Sequence, residues 1–261
     1  MVMHADQPTW IESKANPWFK QLRQTALDNA RYKSSGLIWV EGDHLVHAAL
    51  QRGLQPEFVV VSQAALASHP QQWQGSWPLK VLANALFDQI SQLPSATQVA
   101  ALFKRPAPQG ISSHHPTVVL DRIQDVGNVG SILRSAAAFG FRQIIALKGT
   151  AALWGPKAVR AGMGAHFALD LHEDVEPSRL VELQGLPRLA TSSHGGQALL
   201  KSGFKLPWPC AWFMGNEGQG LAADLEASCT LKVRIDQPGG QESLNVASAA
   251  AICLFASSLS R

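Results

Sequence analysis

The sequence predicts an α/β protein of two domains. A small amino-terminal α/β domain spans residues 1–105, and a carboxyl-terminal domain built on a parallel sheet spans residues 117–261. Three observations predict this. Short apolar runs alternate with helical patterns along most of the chain, the order that yields βαβ units. Pro106–Pro116, PAPQGISSHHP, is rich in Pro, Ser, Gly and His and has no periodic apolar face, so it reads as a linker. Three polar, glycine-marked stretches, Asp121–Gly140, Gly215–Gly220 and the one opening at Ile235, each follow a predicted strand. Parallel sheets bind ligands beyond the carboxyl ends of their strands.

In chain order, Asn16-Pro17 starts a helix, with Asn as cap and Pro at the first position. Phe19, Leu22 and Ala26 share its inner face. Lys14, Lys20, Arg23, Arg31 and Lys33 make this region basic, as a solvated face or as an RNA contact. Leu37–Val40 is a strand. Asp43 caps a helix with Leu45, Val46, Ala49 and Leu50 inward, ended by Gly53. Phe58–Val61, Leu79–Leu82 and Val99–Lys104 are strands, and a helix capped by Asn84 follows the second of them. In the linker, His114-His115 reads as a solvated pair, since no carboxylate or Cys accompanies it.

The second domain opens with strand Thr117–Leu120. Asp121–Gly130 is a polar loop, followed by a helix with Ile132, Leu133, Ala136 and Phe139 inward, stopped at Gly140. Then come strand Ile144–Leu147, helix Pro156–Met163, an extended Phe167–Leu171, a helix at Leu180–Leu183 and strand Arg188–Thr191. Strand Ala211–Met214 runs into GNEGQG, and strand Leu231–Ile235 precedes the closing helix. Ser243 is the predicted cap of that helix, with Asn245 just inside it.

Composition bounds the function classes. Apolar residues make up 46% of the 261, enough for a real core, whereas 16% charged is low and implies surface buried against a partner. A net charge of +3 and a pI near 8.9 allow nucleic-acid binding without requiring it. Cys210, Cys229 and Cys253 are far apart and match no metal-ligand spacing, so a reducing cytoplasm is expected and no metal site is predicted. The amino terminus, MVMHADQPTW, lacks an apolar signal core. Leu244–Leu259 is uncharged but short for a membrane span and contains Asn and Ser, so it reads as a core or interface helix.

GNEGQG does not have the dinucleotide-fingerprint spacing. Taken together, the three stretches resemble the SpoU (TrmH-type) family of RNA 2′-O-ribose methyltransferases, in the SPOUT superfamily. The resemblance rests first on Asn128, Gly130, Arg134, Ala136, Phe139 and Gly140, then on Gly215, Glu217 and Gly220, and last on Gly239, Glu242, Ser243, Leu244, Asn245 and Val246. Pro156-Lys157 and Arg160–Ala165 also fit the family pattern, and Arg31–Ser62 resembles its small RNA-binding domain. Val126 stands where many relatives have proline, and Asp236-Gln237 where many have Pro-Met.

The resemblance implies a deep trefoil knot, S-adenosylmethionine as cofactor, and a homodimer with a shared active site. It implies RNA as substrate, ribosomal favoured over transfer RNA. It assigns Asn128, Arg134, Glu217, Ser243 and Asn245 to catalysis, and Met214, Gly215, Asn216, Gly218, Gly220, Ile235 and Leu244 to the cofactor. Lys14, Lys20, Arg23, Arg31, Lys33, Lys157 and Arg160 are the RNA-binding candidates. Methyl transfer needs both reactants held in line and one hydroxyl proton managed, and no metal is required. A guanidinium stays protonated in proteins, so Arg134 suits phosphate binding and alkoxide stabilisation better than proton abstraction. The rival readings are a non-catalytic RNA-binding protein with the same fold and a small-molecule methyltransferase. Five polar catalytic positions weigh against the first, and the basic amino-terminal domain against the second.

Overall fold

The computed structural model describes residues 7–73, 75–93, 98–192, 195–199, 204–240 and 243–261. The chain forms two compact units, residues 1–106 with 154–160, and residues 107–153 with 161–261.

The first unit contains β1 (Thr9–Ile11), α1 (Pro17–Leu27), α2 (Tyr32–Ser35), β2 (Leu37–Glu41), α3 (Asp43–Gln51), β3 (Pro56–Ser62), α4 (Gln63–Ser68), β4 (Leu79–Leu82), α5 (Asn84–Phe87) and β5 (Val99–Lys104). Its sheet runs in the order β1-β4-β3-β5-β2. β1, β4 and β3 are parallel, and β5 is antiparallel to both β3 and β2. As expected, Asn16 caps α1, its Oδ1 accepting from Trp18 N at 2.9 Å and Phe19 N at 3.3 Å. Phe19, Leu22 and Ala26 then pack on Trp39, Val60, Leu82 and Leu102.

Two expected caps are corrected. Gly42, with φ 102°, precedes α3, and Asp43 is its first helical residue. Ala83 precedes α5; Asn84 is helical and its Oδ1 accepts from Ala64 N at 3.0 Å, serving α4 instead. Both residues lie one position too late to reach back-facing amides of their own first turn.

After β5 the chain forms β6 (Thr117–Leu120), α6 (Val126–Ala138), β7 (Gln143–Leu147), α7 (Pro156–Gly162), β8 (Asp170–Val175), β9 (Arg188–Ser192), β10 (Gln197–Ala198), β11 (Ala211–Met214), α8 (Ala223–Ala227), β12 (Leu231–Arg234) and α9 (Val246–Ser258), all in the second unit except α7, which belongs to the first as far as Arg160. The seven strands are parallel throughout, in the order β10-β12-β9-β11-β6-β7-β8. Every residue of the central β6 and β11 is buried, as a sheet covered on both faces requires. α6 packs beside α9, with the Phe139 and Phe255 rings 5.6 Å apart.

Three local expectations fail here. The polar loop ends early, because Asp125 caps α6 by accepting from Asn128 N at 2.7 Å, which puts Asn128 and Gly130 inside the helix. Phe167 lies in a 3₁₀ turn, Ala165–Ala168, and the strand starts at Asp170. Asn245, not Ser243, caps α9: its Oδ1 accepts from Ala247 N at 2.9 Å and Ser248 N at 3.2 Å. An Asx side chain directly before the first helical residue reaches the second and third amides, whereas Ser243 stands three residues ahead of Val246.

Candidate active site

β6 and β11 are neighbours, so the segments leaving their carboxyl ends lie side by side. One is Asp121–Asp125, leading into α6. The other is Gly215–Ala222. Glu217 of the second segment is held by the first. Its Oε2 accepts from Gln124 N at 3.1 Å, and its Oε1 accepts from Asp125 N at 3.2 Å and from Asn128 Nδ2 at 3.1 Å. Asn128 Oδ1 in turn accepts from Asn245 Nδ2 at 2.9 Å. Three expected site residues from three separate segments therefore form one chain, Asn245 to Asn128 to Glu217. Its direction is fixed, because both ends of each amide are committed.

Burial pushes the Glu217 carboxyl up, but hydrogen bonds outweigh it and leave its pKa lowered. They come from the Asn128 side chain and from the backbone of Gln124, Glu217 itself and Asp125. A carboxyl lowered on folding adds stability above its unfolded pKa and loses that stability as pH falls through the folded value. The stability advantage of the wild type over Glu217→Gln should therefore shrink as pH drops below ~4.5. Thermal unfolding of both proteins across that range checks it; a constant difference contradicts it.

The Gly215–Gly220 loop is tight for stated reasons. A Cβ on Gly215 would sit 2.1 Å from Leu221 N and 2.3 Å from the Gly220 carbonyl carbon, so only glycine fits without the loop moving. Asn216 and Gly220 exchange backbone bonds of 3.0 and 2.9 Å. Asn216 Oδ1 accepts from Gly218 N and Gln219 N, both at 3.0 Å. Gly220 turns the chain with φ 69°. Met214 is buried in the sheet, Ile235 is half-buried and Leu244 exposed. Asp236, the unusual carboxylate of the third stretch, is gripped by Arg234, with Nε to Oδ1 at 2.9 Å.

The remaining candidates scatter. Arg134 is exposed on α6, nearly two turns beyond Asn128, with no hydrogen-bond or ion-pair partner among the described residues. Ser243 is exposed, and Glu242 lies outside the described residues. Lys14, Lys20, Arg23, Lys33 and Lys157 are exposed and Arg31 is half-buried. Arg160 is already engaged, its Nη1 donating to Gln92 O at 3.3 Å and Gln92 Oε1 at 3.2 Å. Sequence reasoning missed Asp125, Gln124 and Arg122. Asp125 had a signal, an Asp three residues before a helical amide; Gln124 had none, since it contributes a backbone N–H to Glu217.

The SpoU rRNA methylase family profile matches residues 115–255, and the MRM3-like substrate binding domain profile matches residues 16–101. The 23S rRNA (guanosine(2553)-2′-O)-methyltransferase RlmP of Bacillus subtilis is 28% identical over 94% of this chain and 97% of its own. An uncharacterized tRNA/rRNA methyltransferase of Synechocystis is 33% identical over 94% of this chain and 92% of its own. The crystal structure of an AdoMet-bound rRNA methyltransferase from Sinorhizobium meliloti superposes with a TM-score of 0.80 at 27% identity, covering 96% of this chain and 97% of that one. With both profiles matched in order and the three glycine-marked segments converging at the strand ends, this chain belongs to the SpoU rRNA methylase family.

Proposed function

We propose that the protein transfers a methyl group from S-adenosylmethionine to a ribose 2′-hydroxyl of ribosomal RNA. The observation that carries this is the chain Asn245–Asn128–Glu217, set beside a loop whose backbone only glycine allows. The cofactor fits this region: exposed Gly218 leaves backbone unshielded, as close approach to an adenosine requires, Gly215 lets the loop close on itself, and Ile235 and Leu244 offer apolar surface. When bound, S-adenosylmethionine supplies an electrophilic methyl on a sulfonium. The protein's part is positional and electrostatic. Met214–Gly220, Ile235 and Leu244 hold the cofactor. Asn128, Glu217 and Asn245 fix the site's shape, and Ser243 adds a hydroxyl at its rim. Arg134 binds the phosphate next to the target ribose and stabilises charge developing on its oxygen. The test is incubation of the purified protein with methyl-labelled cofactor and ribosomal or transfer RNA transcripts, followed by nucleoside analysis. The expected product is a 2′-O-methylnucleoside in ribosomal RNA; label on a base, or only in transfer RNA, refutes the reading.

Lys14, Lys20, Arg23, Arg31 and Lys33 of the first unit add phosphate contacts, with Lys157. Replacing Lys14, Lys20 and Arg23 together by alanine should weaken RNA binding at low salt and flatten its salt dependence by up to about three counterions. Cofactor affinity should not change. Titrations at several salt concentrations check this; an unaltered slope excludes these residues from the contact.

The active protein is a cytoplasmic homodimer whose carboxyl-terminal unit carries the family's knot. α9 supports the dimer. Ala250, Cys253 and Leu254 face inward, yet Ile252 is 39% exposed, Phe255 50% and Leu259 72%. A helix apolar on all sides is covered on all sides. Ile252→Glu with Leu259→Glu should give monomers at micromolar concentration and lose activity, as sedimentation and a methylation assay would show. A monomeric wild type contradicts the dimer.

A further inference from the structure

We infer that Arg122 is a positioning residue that clamps the Gly215–Ala222 loop in its cofactor-binding shape. Arg122 has φ 55°, one of three non-glycine residues with positive φ among those described. A long side chain in that region is held there only when its surroundings over-determine it. Here they do. Its guanidinium forks onto buried Asp121, Nε to Oδ1 at 2.7 Å and Nη2 to Oδ2 at 2.8 Å. Nη1 donates to Gln219 Oε1 at 3.1 Å, and the Arg122 carbonyl accepts from Asn216 Nδ2 at 2.8 Å. Asp121 Oδ2 also accepts from Ala222 N at 2.9 Å. The Asp121-Arg122 pair thus grips the loop at residues 216, 219 and 222, the points between which Glu217 and Gly218 are presented.

This inference rests on the reading of that loop as the cofactor site. The test is Arg122→Gly, which suits the left-handed backbone, removes the guanidinium bonds to Asp121 and Gln219 and keeps the carbonyl that accepts from Asn216; thermal unfolding run beside it reads the cost of leaving Asp121 unpaired. Calorimetry with S-adenosylmethionine should show affinity weakened about tenfold, the scale of lost charged hydrogen bonds. The same loss should appear in KM for the cofactor rather than in kcat. A double-mutant cycle with Gln219→Ala should show the two losses to be non-additive. Gly215→Ala, which drives a methyl into the loop backbone, is measured in parallel. Wild-type affinity in Arg122→Gly beside lost affinity in Gly215→Ala overturns the role of Arg122 alone. Wild-type affinity in both, with folded protein, overturns the reading of the loop and the clamp with it.

Discussion

Arg134→Ala should lower single-turnover methyl transfer by at least about 10²–10³-fold, the range for losing one group that stabilises developing charge, while S-adenosylmethionine still binds. Arg134 is exposed on α6, with no hydrogen-bond or ion-pair partner among the described residues. Its removal therefore strands no buried charge, and the fold should stand. The Gly215–Gly220 loop is instead held by Asn216, Glu217 and the segment before α6. A group used mainly in the transition state lowers turnover more than ground-state binding. Arg134→Lys should recover activity only in part, because a point charge does not reproduce a two-pronged contact with phosphate. Near-normal transfer by the alanine variant removes Arg134 from the mechanism. Lost cofactor affinity in a folded protein assigns it to the other half of the reaction.

Glu217→Gln should cost about 100-fold in kcat/KM, although the two side chains have nearly the same shape. Glu217 accepts from three donors, Gln124 N, Asp125 N and Asn128 Nδ2. A glutamine meets those donors with one oxygen and one NH₂. At least one donor then faces another donor, at a cost of about 1–3 kcal/mol for the unpaired group. Asn128 is the member most free to turn away, and turning breaks its bond with Asn245 as well. The effect should thus reach two segments distant in sequence. Steady-state kinetics at saturating RNA, alongside the Asn128→Ala variant, check it. Full activity in Glu217→Gln would reduce that carboxylate to a loop cap.

The strands and the parallel second sheet were legible because β6, β7 and β11 carry buried apolar runs between polar punctuation, with one buried polar residue, Thr117 or Gln143, opening β6 and β7. Helix starts were less legible. Asp43, Asn84 and Ser243 have cap chemistry, yet the structure uses Gly42, Ala83 and Asn245, since backbone geometry one or two residues away decides which residue is the cap. β1 and β10, with three and two residues, are too short to carry a periodic signal. Within the site, Asn128, Glu217 and Asn245 were readable as three polar residues at strand ends, and they do meet. That Asp125 and Gln124 complete the cradle was not readable, because they serve through backbone N–H groups that every residue type carries. Arg160 carries a contact that its charge pattern does not announce: its Nη1 donates to Gln92, 68 residues away in sequence.

Mapping ribose methylation across the ribosomal RNA of a strain lacking this protein reads the proposed reaction at its product. One 2′-O-methyl group should disappear, return with the wild-type protein and stay absent with the Arg134→Ala protein. An unchanged ribosomal RNA methylation map, or restoration by the alanine variant, would contradict it.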